Sequence, residues 1–103
     1  MGQKQLSAQE VDAFVEKHPG YRSADRALVK EYRFGSYADG VAFAVAVAMV
    51  AERKDHHPDL TIRWAKVSVL WSTHDAGGIT ALDCELAELT EGLAGRHGAT
   101  EAP

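Results

Sequence analysis

Val41-Ala42-Phe43-Ala44-Val45-Ala46-Val47-Ala48 decides the fold, because it alternates as a strand does and yet half of it is alanine. Strict alternation suits one face of a sheet. Alanine, however, is the best helix former and a poor strand former. Upstream, Ser36-Tyr37-Ala38-Asp39 has the form of a helix start. Downstream, Glu52-Arg53-Lys54-Asp55 adds one charged turn, and His56-His57-Pro58 ends it, since the residue before proline avoids the α region. The segment is therefore expected to be a helix. From Val41 to Ala51 it is apolar nearly all round, so one face can pack on a sheet while the other also needs cover. An oligomer interface made by this helix is the expected cover.

Working outward, Ser7-Ala8-Gln9-Glu10 has the pattern of a capping box, followed by Val11, Phe14 and Val15 at helical spacing and a stop at His18-Pro19-Gly20. Tyr21 to Ser23 reads as a short strand, with a turn at Ala24-Asp25-Arg26. Leu28, Lys30, Tyr32 and Phe34 alternate with Val29, Glu31 and Arg33, a strand pattern. Leu60, Ile62 and Trp64, then Val67, Val69 and Trp71, read as two strands with a turn near Ala65-Lys66. After the loop Asp75-Ala76-Gly77-Gly78, Thr80-Ala81-Leu82-Asp83 is a further capping-box variant. Leu82, Leu86, Leu89 and Leu93 then mark an amphipathic helix, and Gly95 to Pro103 reads as a frayed tail. The expected architecture is α+β, in the order α-β-β-α-β-β-α, with three helices on one face of a four-stranded antiparallel sheet.

One domain is expected over residues 1–103, its core spanning about 6–94. The net charge of −4 and the scattered Lys and Arg give no footprint for nucleic acid or anionic lipid. The single cysteine, Cys84, allows no internal disulfide. Met1 to Gln9 lack the apolar stretch of a signal peptide, and the longest apolar run is too short to span a bilayer. A cytoplasmic protein without membrane or nucleic-acid partners is expected.

The chemistry lies between Glu52 and Asp83, which hold three of the five histidines: His56, His57 and His74. Imidazole titrates near neutral pH and so suits proton transfer. His56 and His57 leave the end of the central helix and His74 leaves the last strand, so both ends can open on one cleft. Glu52 shares a helical face with His56 if the helix persists. Each residue also has a plainer reading. His56 can cap a helix C-terminus, Asp83 can be only the last residue of a capping box, and Glu52 a solvated side chain. Trp64 and Trp71 can be packing residues or a stacking surface for a flat ligand. Cys84 reads as a semi-buried small residue. A histidine metal site is a further alternative, although adjacent residues of an extended segment point opposite ways and share a metal awkwardly. The residues alone point to a metal-free acid/base site.

Glu52, His56-His57-Pro58, Trp64, Thr73-His74 and Asp83, with Gly78-Ile79-Thr80 before the last helix, resemble the pterin-4a-carbinolamine dehydratase family, also known as the dimerization cofactor of a homeodomain transcription factor. Trp64 stands where the family more often has tyrosine. Looser similarity extends from Leu6 to about Leu93. The resemblance implies the sheet-and-helix fold read above, dimers or tetramers packed through the Val41–Ala51 helix and a sheet edge, and no cofactor. It also implies an activity: loss of water from a 4a-hydroxy-tetrahydropterin, in tetrahydrobiopterin recycling for aromatic amino-acid hydroxylases. His56 and His74 would be the acid/base pair and His57 mainly a pterin ligand. Glu52 would orient a histidine, and Asp83 would orient His74 or its loop. Pro58, Trp64 and Thr73 would support the substrate site. A rival role on the same fold is a non-catalytic binding, assembly or transcriptional module.

Overall fold

In the computed structural model, which describes residues 4–100, the elements run α1 (Ala8–Lys17), β1 (Arg22–Ala24), β2 (Ala27–Arg33), α2 (Tyr37–Arg53), β3 (Asp59–Arg63), β4 (Lys66–Trp71), a 3₁₀ turn (His74–Ala76) and α3 (Ala81–Arg96). The alanine-rich segment is helical. Ser36 caps it, its hydroxyl accepting the Asp39 N–H at 3.1 Å. The capping box of α1 is complete: Ser7 Oγ accepts from Glu10 N and Glu10 Oε1 from Ser7 N.

The strands form one antiparallel sheet in the order β1-β2-β4-β3. Leu28 and Tyr32 of β2 pair with Trp71 and Val67 of β4, and Leu60 pairs with Val69. These side chains share the face that the helices cover. Phe43, Ala44, Val47 and Ala51 of α2 and Leu86, Ala87 and Ala94 of α3 complete the buried core. Burying each of the larger residues contributes about 1.5–3 kcal/mol. Lys30 is the polar exception on that face. Its ammonium donates to Glu91 at 2.7 Å and to the Pro19 carbonyl at 3.1 Å, and lies 4.9 Å from the Tyr32 ring centre. The pairing and the cation–π contact offset its desolvation.

Three boundaries differ from the sequence expectation. Strand β1 is displaced by one residue, to Arg22–Ala24, and the turn beyond it is Asp25-Arg26, both at positive φ (49° and 65°). The second hairpin turns at Trp64-Ala65, one residue early, with Ala65 at φ 56°. Trp64 thus leaves the strand alternation and sits 76% exposed. The final helix runs through Arg96 where a frayed tail was expected to begin at Gly95. Ala94 is buried, and Thr100 N–H bonds the Arg33 carbonyl at 2.8 Å. The last residues of that tail, 101–103, lie outside the described residues. No helix among the described residues is long and apolar enough to cross a membrane.

Candidate active site

Antiparallel pairing decides which loops meet. Because Asp59 pairs with Leu70, the start of β3 lies beside the end of β4. His56-His57-Pro58, which feeds β3, therefore sits next to Thr73-His74, which leaves β4. The hairpin turn holding Trp64 lies at the other end of the strands, about 15–20 Å away at the usual rise per residue. The structure thus brings Glu52, His56, His57, Pro58, Thr73, His74 and Asp83 to one end of the sheet and leaves Trp64 at the opposite end.

The exit of α2 fixes His56. Asp55 N–H bonds the Glu52 carbonyl at 3.1 Å and His56 N–H bonds the Ala51 carbonyl at 3.1 Å, with Asp55 at φ 51°. This is a Schellman C-terminus, with aspartate in the left-handed position that glycine usually fills. The reversal turns the His56 ring back toward the N-terminus of α3. There its Nε2 lies 2.6 Å from Asp83 Oδ1, and the ring stacks on Trp71, 6.0 Å between centres and 8° from parallel. Trp71 is itself held from behind, its Nε1–H donating to Thr90 at 3.2 Å.

Asp83 is fully buried. A carboxylate accepts but does not donate, and its whole surrounding here consists of donors. Oδ2 accepts the Thr73 hydroxyl at 2.7 Å and the Thr80 N–H at 2.8 Å, and the Thr80 hydroxyl lies at 3.3 Å. Oδ1 faces His56. Asp83 therefore closes the start of α3, as its capping-box position implied, and also orients a histidine. That histidine is His56; the resemblance pointed to His74 or its loop, and Asp83 meets that loop at Thr73. With Nε2 turned to a carboxylate, the neutral imidazole carries its proton on Nε2, and Nδ1 keeps its lone pair for a ligand. This tautomer is assigned from the hydrogen-bond geometry.

The helical face that Glu52 would share with His56 does not form, because helix α2 stops at Arg53. Glu52 reaches His57 instead, Oε1 to Nε2 at 2.8 Å, with both side chains well exposed. The adjacent histidines thus turn to different carboxylates, one buried and one at the surface. His74, also exposed, has no hydrogen-bonded side-chain partner among the described residues. Asp55, His56, His57, Ser72, Thr73, His74 and Asp75 line an open cleft of about 260 Å³, a volume of the order of a small bicyclic ligand. A larger cleft of about 300 Å³, near Lys30 and Arg33, holds none of these groups. Cys84, next to Asp83, is no nucleophile at neutral pH. Burial, with the Asp83 and Glu88 carboxylates adding to it, pushes its thiol up to about 11.

Sequence reasoning assigned no site role to Thr80 and left Trp71 as either a packing residue or a stacking surface. Thr80 was visible as a cap and Trp71 as a strand residue, but their contacts with Asp83 and His56 depend on tertiary packing.

Comparison with known proteins shows the family. The family model described as Pterin 4 alpha carbinolamine dehydratase matches residues 4–93. Two bacterial relatives have names that propose pterin-4-alpha-carbinolamine dehydratase. The Mycolicibacterium smegmatis protein is 45% identical over 81% of this chain and 88% of its own. The Streptomyces coelicolor protein is 43% identical over 91% and 94%. Among solved structures, a transcriptional coactivator/pterin dehydratase from Brucella melitensis superposes with a TM-score of 0.84 at 26% identity, covering 88% of this chain and 99% of its own. A pterin dehydratase-like protein identified as a RuBisCO assembly factor in the alpha-carboxysome superposes with a TM-score of 0.64, also at 26% identity, over 76% and 93%. With a family match over residues 4–93, nearly its whole length, this chain belongs to the pterin-4a-carbinolamine dehydratase family.

Proposed function

We propose that this chain is an enzyme that dehydrates a 4a-hydroxy-tetrahydropterin to quinonoid dihydropterin and water. The observation that carries the reading is the buried Asp83–His56 pair, 2.6 Å between oxygen and nitrogen, on a cleft that also holds His57 and His74. The reaction breaks the C4a–O bond and the N5–H bond. The hydroxyl takes a proton and leaves as water, and N5 gives up its proton as the C4a=N5 bond forms. No electron is gained or lost overall, so acid and base groups suffice. Each positioned proton-transfer group contributes about 10²- to 10⁴-fold.

His56, with Nε2–H tied to Asp83, offers Nδ1 as the base for the N5 proton. The imidazolium so formed is stabilised by the buried carboxylate behind it. His74, free of side-chain hydrogen bonds among the described residues, is the acid that protonates the leaving hydroxyl. His57, braced by Glu52 at the rim, binds the pterin, and Pro58 fixes the direction in which the chain leaves the site. Trp64 has no part in the site of its own chain. The natural role is the recycling of tetrahydrobiopterin for an aromatic amino-acid hydroxylase in the cytoplasm. Val45 and Met49 of α2, 52% and 58% exposed, support a homodimer or homotetramer packed through that helix.

The test is the decay of a 4a-hydroxy-tetrahydropterin with catalytic amounts of protein. Wild type is expected to accelerate it and folded His74→Ala to lose most of that acceleration; equal rates would overturn the assignment. A second reading, a non-catalytic assembly or transcriptional module, draws on the assembly factor that shares this fold. Pterin binding separates the two, because a pure scaffold is expected to show none.

A further inference from the structure

We infer that Thr80 is a positioning residue whose buried hydroxyl, acting through Thr73 and Asp83, holds His56 in its Nε2–H tautomer. Its kinetic consequence rests on the dehydratase reading; its structural consequence does not.

Four donors surround the Asp83 carboxylate: the Thr73 hydroxyl, the Thr80 N–H and hydroxyl, and His56 Nε2–H. Thr80 is fully buried and Thr73 nearly so. The Thr73 hydroxyl has one hydrogen and three acceptors in reach: Asp83 Oδ2 at 2.7 Å, Thr80 Oγ1 at 3.0 Å and, when the His56 proton is on Nδ1, the Nε2 lone pair at 3.5 Å. The first choice leaves Oδ1 to receive Nε2–H. The third requires the opposite tautomer, with the proton on Nδ1, the nitrogen that the proposed mechanism uses as the base. Thr80 biases this choice. Its Oγ1 lies 3.0 Å from Thr73 Oγ1 and 3.3 Å from Asp83 Oδ2, and its N–H donates to the same Oδ2 at 2.8 Å. Donation from Thr80 to the Thr73 oxygen polarises the Thr73 O–H toward Oδ2, since chained hydrogen bonds strengthen one another. Donation directly to Oδ2 pins the carboxylate instead. The first route, at the shorter distance, supports the arrangement in which Oδ1 faces Nε2–H. Thr80 does not line the histidine cleft, so its effect on turnover passes through Asp83.

The experiment compares Thr80→Val, which keeps the shape and removes the hydroxyl, with Thr80→Ser, which keeps the hydroxyl. The primary readout is the ¹⁵N spectrum of the His56 ring in the free protein, at a pH where the imidazole is neutral. Thr80→Val is expected to move the Nδ1 and Nε2 signals toward averaged tautomers, and Thr80→Ser to retain the wild-type pattern. In the dehydratase assay, Thr80→Val is expected to lower kcat about tenfold, the size of one hydrogen bond to a charged group, with KM little changed. Added to Asp83→Asn, it is expected to cost nothing further, as two residues acting through one contact do. A wild-type tautomer pattern in Thr80→Val overturns the inference. Equal impairment of the Val and Ser variants also overturns it, since packing alone would then explain both. If Thr80→Val does not fold by circular dichroism, Thr80→Ala against Thr80→Ser makes the same comparison. Wild type without dehydratase activity defeats the proposed function and leaves the tautomer comparison intact.

Discussion

Replacing Asp83 with asparagine keeps the shape of the buried side chain and exchanges one oxygen for an NH₂. Which way the amide turns follows from its neighbours. Oδ2 meets Thr73 O–H at 2.7 Å, Thr80 N–H at 2.8 Å and Thr80 O–H at 3.3 Å, all donors. The single amide oxygen therefore takes that side, and the NH₂ faces His56 Nε2, 2.6 Å from the present Oδ1. To accept from it, His56 must present a lone pair on Nε2 and carry its proton on Nδ1, the nitrogen it needs free. The loss in kcat is expected to be about 10²- to 10⁴-fold, the range associated with a wrong imidazole tautomer and a lost carboxylate partner. Stability falls much less, by about 1–2 kcal/mol, because most of the hydrogen bonds survive. For a domain of this size that is a drop in Tm of about 5–15 °C. Stopped-flow dehydration kinetics give the first quantity and thermal melting the second. A folded Asp83→Asn protein with wild-type kcat would refute the reasoning.

Other consequences are cheaper to check. Because burial and neighbouring carboxylates hold the Cys84 thiol at about 11, only about one molecule in a thousand is thiolate at pH 8. Alkylation by iodoacetamide is expected to be slow there and to rise about tenfold per pH unit; fast stoichiometric labelling of native protein at pH 7 would contradict this. Asp55→Gly relieves a left-handed aspartate at φ 51° and is expected to leave stability unchanged or raise it by about 0.5–1 kcal/mol; a clear fall in melting temperature would show that the aspartate side chain contributes something the backbone does not explain. Trp64→Ala is expected to leave kcat/KM within about twofold, as for an ordinary surface residue. A large loss would place this turn against a substrate site, which within one chain it cannot reach.

The architecture was legible because several local signals agreed. Ser7, Ser36 and Thr80 each stand at the start of a helix, and alanine outweighed alternation in the segment from Val41. The two hairpin turns were harder to place because neither carries glycine or asparagine where the backbone is left-handed. Asp25, Arg26 and Ala65 occupy those positions, and tertiary packing tolerates them. Reading Trp64 as a strand residue followed from that. Gly95 looked like a stop, but Ala94 is buried against the core and carries the helix past it. The histidines were legible as a group, since the hairpin of β3 and β4 that gathers them was. Their partners were not. Asp83 lies 27 residues from His56, and no spacing rule links them. The shared face of Glu52 and His56 was conditional on the helix persisting, and it ends at Arg53, so Glu52 meets His57 instead.

The most direct test of the account is the stopped-flow decay of a 4a-hydroxy-tetrahydropterin, measured side by side for wild type, His56→Ala and His74→Ala, each verified as folded. The account predicts acceleration by wild type at catalytic concentration and loss of most of it in both variants. Decay at the uncatalysed rate with folded wild type, or full acceleration by both variants, would contradict it.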